Sequence, residues 1–187
     1  MSRNIVLALI AAALVSTNPA HAGEWKRQTD EETKIGLRID APWAKPRMGH
    51  YWERWNDRQT IHSYSATWYS RSQNGPRVEV ALYRLAPGRV WRRVGKLDED
   101  TLTSWNYLEK KGVSETRKIP CRARECVAFK AGDLYHCAAF VSVRGVLGTS
   151  DASDRSDLVK GYYCHDTTAE ISTEKLDEII NSVAIKK

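Results

Sequence analysis

Two runs of alternating side chains, joined by a turn sequence, constrain the fold of this 187-residue chain more than any other feature. In residues 60–69 aromatic and small apolar side chains alternate with hydroxyl side chains, and in residues 77–85 aliphatic side chains alternate with polar ones. A period of two is typical of a β-strand with one buried face. Asn74-Gly75-Pro76 stands between the runs and predicts a turn. We therefore expect a β-hairpin with a half-buried first strand.

The rest of the pattern predicts an α+β fold. Residues 99–110 are expected to form one helix with Asp98 as its N-cap and with Leu102, Trp105 and Leu108 as its buried stripe. Ser172 is expected to cap a second helix over residues 173–183. Short strands are predicted at residues 34–39, 113–119, 126–130, 134–143 and 159–164. Ala131-Gly132-Asp133 separates the third and fourth of these and predicts a second hairpin. We expect a single domain over residues 23–187, an antiparallel β-sheet with two helices packed against it, the second closing the C-terminus.

Two other stretches carry no such signal. Residues 23–33 are polar and are expected to be loose, and residues 43–57 fit no regular period. The overall composition excludes a coiled coil, a collagen-like chain and bulk disorder.

The first 22 residues have the features of a secretory signal peptide. Arg3 is followed by an apolar run over residues 5–15 and by Ala20-His21-Ala22, an A-x-A-like cleavage site. The run is too short to span a bilayer, which takes about 20 residues. We therefore expect cleavage after Ala22, a periplasmic or secreted mature protein, and no transmembrane segment in it. The formal net charge of +6 is moderately basic.

Four cysteines in an exported chain are expected to form two disulfides. Three pairings are open. We favour Cys121 with Cys126 and Cys137 with Cys164, because Cys137 and Cys164 lie on predicted strands that are plausible antiparallel neighbours. His136 and His165 stand beside two of the cysteines and suggest a Cys₂His₂ metal site. Successive side chains of a strand point to opposite faces, so we expect disulfides and no metal.

Catalytic motifs are absent from the sequence, which has no G-x-S-x-G elbow, H-E-x-x-H helix, P-loop or G-x-G-x-x-G turn. This absence favours a non-catalytic protein without a cofactor. The alternative is a secreted hydrolase whose site is assembled from His62, His136 or His165 with acids of a loop. A cleft holding a histidine near an acid and a nucleophile would favour that enzyme, whereas a patch of exposed Trp and Arg would favour a binding protein.

Two segments, residues 43–55 and 89–96, mix tryptophans with basic residues. Such segments suit an anionic envelope polymer, a lipid headgroup or an acidic protein partner, and an exported protein seldom meets nucleic acid. The alternative is that these rings pack under loops while arginines cover them. We expect one or two of the rings in residues 43–55 to be exposed, with Trp52 and Trp55 the best candidates, which would be neighbours if this stretch forms a helical turn. The candidate ligand-binding residues are Trp43, Arg47, Tyr51, Trp52, Arg54, Trp55, Trp91, Arg92 and Arg93.

Overall fold

The computed structural model describes residues 25–39, 41, 50–55, 60–72, 75–86, 91, 96–144, 157–165 and 169–186. Of residues 50–53 and 55 it describes the backbone alone. The strands are β1 (Lys26–Gln28), β2 (Ile35–Leu37), β3 (His50–Trp55), β4 (Ile61–Tyr69), β5 (Arg77–Leu85), β6 (Val113–Lys118), β7 (Glu125–Ala131), β8 (Tyr135–Arg144), β9 (Asp157–His165) and β10 (Val183–Ile185). The helices are α1 (Glu99–Thr103), α2 (Asn106–Lys111) and α3 (Thr173–Ser182).

Eight of the strands form one antiparallel sheet in the order β1-β3-β4-β5-β9-β8-β7-β6. The predicted hairpins β4–β5 and β7–β8 are both confirmed by the register of their ladders. The two halves of the sheet meet where β5 pairs with β9, from Arg77 opposite Cys164 to Arg84 opposite Asp157. At one end of this seam Arg84 Nε and Nη2 donate to the two carboxylate oxygens of Asp157, each over 2.9 Å.

Buried side chains cover both faces of this sheet. On one face, Leu176, Ile179 and Ile180 of α3 share a cluster with strand residues such as Trp68 and Phe140. On the other face, Leu102 of α1 and Leu108 of α2 share a second cluster with residues of β7, β8 and β9. We call these the α3-face and α1-face clusters.

Because both faces are covered, the prediction that residues 60–69 form a half-buried strand is wrong. Ser63 and Thr67 on the hydroxyl side of β4 are only 5% and 7% exposed. The fold class is therefore mostly antiparallel β-sheet with a few helices, α+β in type. After α3 the chain continues into β10, which pairs with β2 in a separate two-stranded ribbon. No helix in the described residues is long and apolar enough to cross a membrane.

The predicted helix over residues 99–110 is wrong as a single element, because the structure has two short helices there. The Thr103 hydroxyl donates to the carbonyl oxygens of Glu99 and Asp100, and the Ser104 hydroxyl donates to that of Thr101 over 2.6 Å. Hydroxyl groups that bond back to the preceding turn weaken a helix. Trp105 then takes an extended backbone, with φ −87° and ψ 117°, before α2 begins.

Two further expectations about the N-terminal part are wrong. The polar stretch over residues 23–33 contains β1, and the aperiodic stretch over residues 43–57 contains β3. The two strands pair with each other, and β3 also pairs with β4. The backbone of β3 is extended, so the helical turn expected around Trp52 and Trp55 does not form.

Both predicted disulfides are confirmed. Cys137 and Cys164 face each other directly across β8 and β9, with Cα atoms 4.1 Å apart. Cys121 bonds to Cys126 and ties the segment before β7 to that strand. Disulfides are typical of an oxidising, extracellular environment.

Candidate functional site

A cleft of about 600 Å³ opens on the α1 face of the sheet, and we call it the Arg54 cleft. The strands β4 and β5 form its base with Ser65, Glu79, Ala81 and Tyr83. Trp25, Arg54 and the α1–α2 junction line its sides, the junction contributing Ser104, Trp105 and Asn106. The volume lies within the range of small-ligand pockets, about 300–1,000 Å³.

The register of the sheet places these groups in successive rows. Ser65 stands opposite Ala81, and the next row toward one end holds Arg54, Ser63 and Tyr83. One row toward the other end, Glu79 pairs with Tyr162 of β9. The cleft therefore crosses three strands, and no single stretch of sequence contains it.

A fixed carboxylate lies at the base of the Arg54 cleft. The Tyr162 hydroxyl donates to Glu79 Oε2 over 2.7 Å, and Arg77 Nη2 donates to the same oxygen over 3.1 Å. Arg77 Nε also donates to the Tyr162 hydroxyl oxygen over 3.0 Å. Both donors use Oε2, and Oε1 accepts no hydrogen bond within the described part of the chain. Glu79 is thus held in place through one oxygen, while the other accepts no hydrogen bond from the described residues.

The phenols around Glu79 keep their protons. Burial raises the pKa of Tyr162 well above its ordinary value, and the nearby Glu79 carboxylate raises it further. Burial also raises the pKa of Tyr83, an effect that Arg54 opposes and Glu79 reinforces. Both tyrosines therefore present neutral hydroxyl groups, so they act as hydrogen-bond donors and acceptors rather than as charges.

Two tryptophans flank the base. The Arg54 guanidinium lies over the Trp25 ring, 4.5 Å from its centroid, and Trp25 is 37% exposed. Across the cleft, Trp105 packs edge-on against Tyr162, with ring centroids 5.2 Å apart. Trp105 packs against the α1-face cluster that contains Leu102 and Leu108, and this half-buried indole also lines the cleft.

Only part of the predicted binding set can be placed. Arg54 lies in the cleft, and Trp91 is half-buried against the α1-face cluster. The side chains of Tyr51, Trp52 and Trp55 lie outside the described part, although their backbone belongs to β3. Outside the described residues altogether are Trp43, Arg47, Arg92 and Arg93.

Sequence reasoning missed Trp25, Glu79, Tyr83 and Trp105 as site residues. A signal for Glu79 existed, because a carboxylate inside a strand of a central hairpin needs partners if both faces are covered. Trp25 had no local signal, since its role depends on the pairing of β1 with β3.

Of the three histidines named in the hydrolase alternative, two lie side by side and the third lies far from them. His136 and His165 pair across β8 and β9, with ring centroids 6.5 Å apart. His62 lies in the row of Arg84 and Asp157, at the far end of β9 from His165 and about 26 Å away at 3.3 Å per strand residue. The His62 ring is engaged through Nδ1 with the Tyr64 hydroxyl, 2.8 Å away.

A smaller groove of about 300 Å³ lies beside His136, on the other face of the sheet from the Arg54 cleft. Ion pairs join Lys130 to Glu115 over 2.8 Å and Arg117 to Glu170 along this groove. Within the described ranges, no group of three or more His, Cys, Asp or Glu side chains is placed to hold a metal ion.

Comparison of the chain with protein-family models, with curated proteins and with solved structures finds no match. The function of this protein is therefore inferred from the geometry of the Arg54 cleft.

Proposed function

We propose that this protein is a small, non-catalytic, exported domain that binds a component of the cell envelope in the Arg54 cleft. Export to the periplasm or beyond is part of this proposal; it is supported by the signal-like sequence of residues 1–22 and by the two disulfides. The observation that carries the proposal is the base of the cleft, where Glu79 is fixed through Oε2 and Oε1 is left unoccupied by described residues.

This geometry favours binding over catalysis. The cleft has one carboxylate and no histidine among its described lining residues, whereas acid–base hydrolysis of a glycoside takes two carboxyl groups. A fixed acceptor, neutral hydroxyl groups and exposed rings are the groups with which pockets orient a ligand. A concave site of this volume also fits a small ligand or one segment of a polymer better than it fits the flat surface of a protein partner.

The test is a binding map of the ¹⁵N-labelled protein from Gly23 onward, recorded with soluble envelope fractions of saccharide, lipid and protein. Asn106→Trp places a bulky ring at the exposed edge of the cleft. Asn181→Trp makes the same change at an exposed position of α3, on the opposite face of the sheet, and serves as the control. We expect shifts of the backbone amides of Glu79 and Asn106 that Asn106→Trp abolishes and Asn181→Trp preserves.

Two results would overturn the proposal. One is a map in which every fraction leaves the cleft amides unchanged. The other is conversion of a fraction component into a new product by the wild-type protein, which would replace the binding function by an enzymatic one.

A further inference from the structure

We infer that the ligand of the Arg54 cleft is an acidic saccharide, which the cleft holds by its hydroxyl groups at the base and by its anionic group at the rim. This inference rests on the proposed binding function and names the chemical class of the ligand.

The base of the cleft calls for a hydrogen-bond donor without charge. Glu79 Oε1 is a free acceptor, and an anion placed there would meet the like charge of the carboxylate. A cation placed there would meet Arg77, which is 3.1 Å from Glu79, and Arg54 at the rim. A hydroxyl group donates to Oε1 without opposing either charge.

Further polar groups lie within the same cleft. The side chains of Ser65, Tyr83 and Asn106 line it and make no hydrogen bond to another side chain in the described ranges. Together with Glu79 they present both donors and acceptors. A ligand with several hydroxyl groups satisfies such a set, whereas an acyl chain would cover the half-buried Ser65 and Tyr83 without offering them a partner.

The sides of the cleft provide flat apolar surfaces. Trp105 is half-buried and Trp25 is 37% exposed, with the Arg54 guanidinium over one face of the Trp25 ring, and both tryptophans line the cleft. A pyranose ring has one face of C–H groups, which packs on an aromatic ring, and an edge of hydroxyl groups, which faces polar side chains. Rings at the sides and polar groups at the base match these two aspects of a sugar.

Arg54 supplies the preference for an acidic sugar. Its side chain is exposed and lies over Trp25, and no acidic side chain of the described residues forms an ion pair with it. A carboxylate on a sugar packed against Trp25 would lie within reach of this guanidinium. Arginine binds carboxylates through paired N–H donors, and such charge-assisted bonds are stronger than neutral ones.

The experiment titrates the labelled protein with soluble probes of defined class. The acidic saccharides are hexagalacturonate, hyaluronan oligomers and peptide-free peptidoglycan strands, and cellohexaose is the neutral saccharide. Polyphosphate, phosphatidylglycerol vesicles and hexaglutamate represent other anions. We expect at least one acidic saccharide to shift the Glu79 and Asn106 amides, with binding stronger than that of cellohexaose.

Three variants test the assigned roles. Glu79→Gln should weaken binding of the acidic saccharide about tenfold or more, and Ser65→Ala, which leaves the Glu79 partners intact, should weaken it by a smaller factor. Arg54→Ala should remove the preference over cellohexaose and flatten the dependence on salt. Arg124→Ala, which removes another exposed arginine, is the control and should change neither.

The outcomes separate the ligand class from the site. If polyphosphate, vesicles or hexaglutamate shift the cleft amides and no saccharide does, the cleft remains a binding site and the saccharide inference is overturned. If an acidic saccharide shifts them but Arg54→Ala and Arg124→Ala behave alike, the assignment to Arg54 is overturned. If no probe and no envelope fraction shifts them, the proposed function fails as well.

Discussion

The two disulfides should contribute unequally to stability, and removing them in pairs measures the difference. One variant replaces Cys137 and Cys164 by Ala, and the other replaces Cys121 and Cys126. Chain entropy gives about 3.6 kcal/mol for the first bond, whose cysteines are 27 positions apart, and about 2 kcal/mol for the second, with a separation of five.

Burial of the sulfur atoms increases the difference in stability loss between the two variants. Cys137 and Cys164 are 1% and 0% exposed in the α1-face cluster, so the variant loses two buried sulfur atoms. In the other pair only Cys126, 2% exposed, is fully buried. With about 1 kcal/mol for each buried sulfur removed, the losses become about 5.5 and about 3 kcal/mol. The expected difference in free energy of unfolding is about 2.5 kcal/mol.

Guanidinium denaturation followed by tryptophan fluorescence measures both losses by linear extrapolation. A domain has about 5–15 kcal/mol of stability, so the Cys137/Cys164 variant lies near the limit of folding. All proteins should therefore be compared in the same concentration of sucrose, which stabilises folded states. Equal losses, or a larger loss for the Cys121/Cys126 variant, would refute the reasoning from loop length and burial.

Three further predictions concern packing and titration. Gly161→Ala should destabilise by about 1–3 kcal/mol, because its Cβ would stand 2.7 Å from Phe140 Cζ and 2.9 Å from the backbone carbonyl oxygen of Glu79. Chemical denaturation checks this, and a neutral result would contradict it, since both the Phe140 ring and the β5 backbone would have to shift. Hydrogen-bond donation from Thr101 lowers the pKa of Asp98, so this N-cap stabilises the folded protein above the ordinary aspartate pKa, and that stabilisation is lost as pH falls through the lowered value. Asp98→Asn should therefore flatten the acid side of the curve of stability against pH. An unchanged slope would contradict this prediction. Burial and a hydrogen bond with Tyr135 raise the pKa of Tyr107 to about 12, so the contribution of this phenol to stability is full below pH 10 and is lost as pH rises toward 12. Ultraviolet titration should show a phenol that ionises late and that Tyr107→Phe removes. A variant that titrates like the wild type would disprove the assignment.

The parts of the fold that the sequence predicts are those with local signals. The β4–β5 and β7–β8 hairpins join neighbouring segments through turn residues, and the cysteine pairing follows from adjacent strands. The strands β1 and β3 lack such a signal because each is defined by its partner in the sheet. The break between α1 and α2 also has a local signal, since the hydroxyl groups of Thr103 and Ser104 can bond back to the preceding turn.

The Arg54 cleft has few local signals in the sequence. Of the two predicted binding residues whose side chains the structure describes, Arg54 lines the cleft and Trp91 does not; the other lining residues come from separate strands and from a helix junction. Glu79 acquires its role through Tyr162 and Arg77, and Tyr162 is 83 positions away in the chain. Charge and aromatic density identify a segment, but convergence of distant residues defines a site.

The seam between β5 and β9 sets the order in which parts of the chain can fold and oxidise. Arg77 and Tyr162 are 85 positions apart, whereas β7, β8 and β9 are successive strands of the sheet and Cys137 bonds to Cys164 inside that half. Contacts between distant segments form more slowly than local ones because they close larger loops. Oxidation can therefore be complete in the second half before Tyr162 meets Glu79, and the hydrogen-bonded base of the Arg54 cleft is then assembled last.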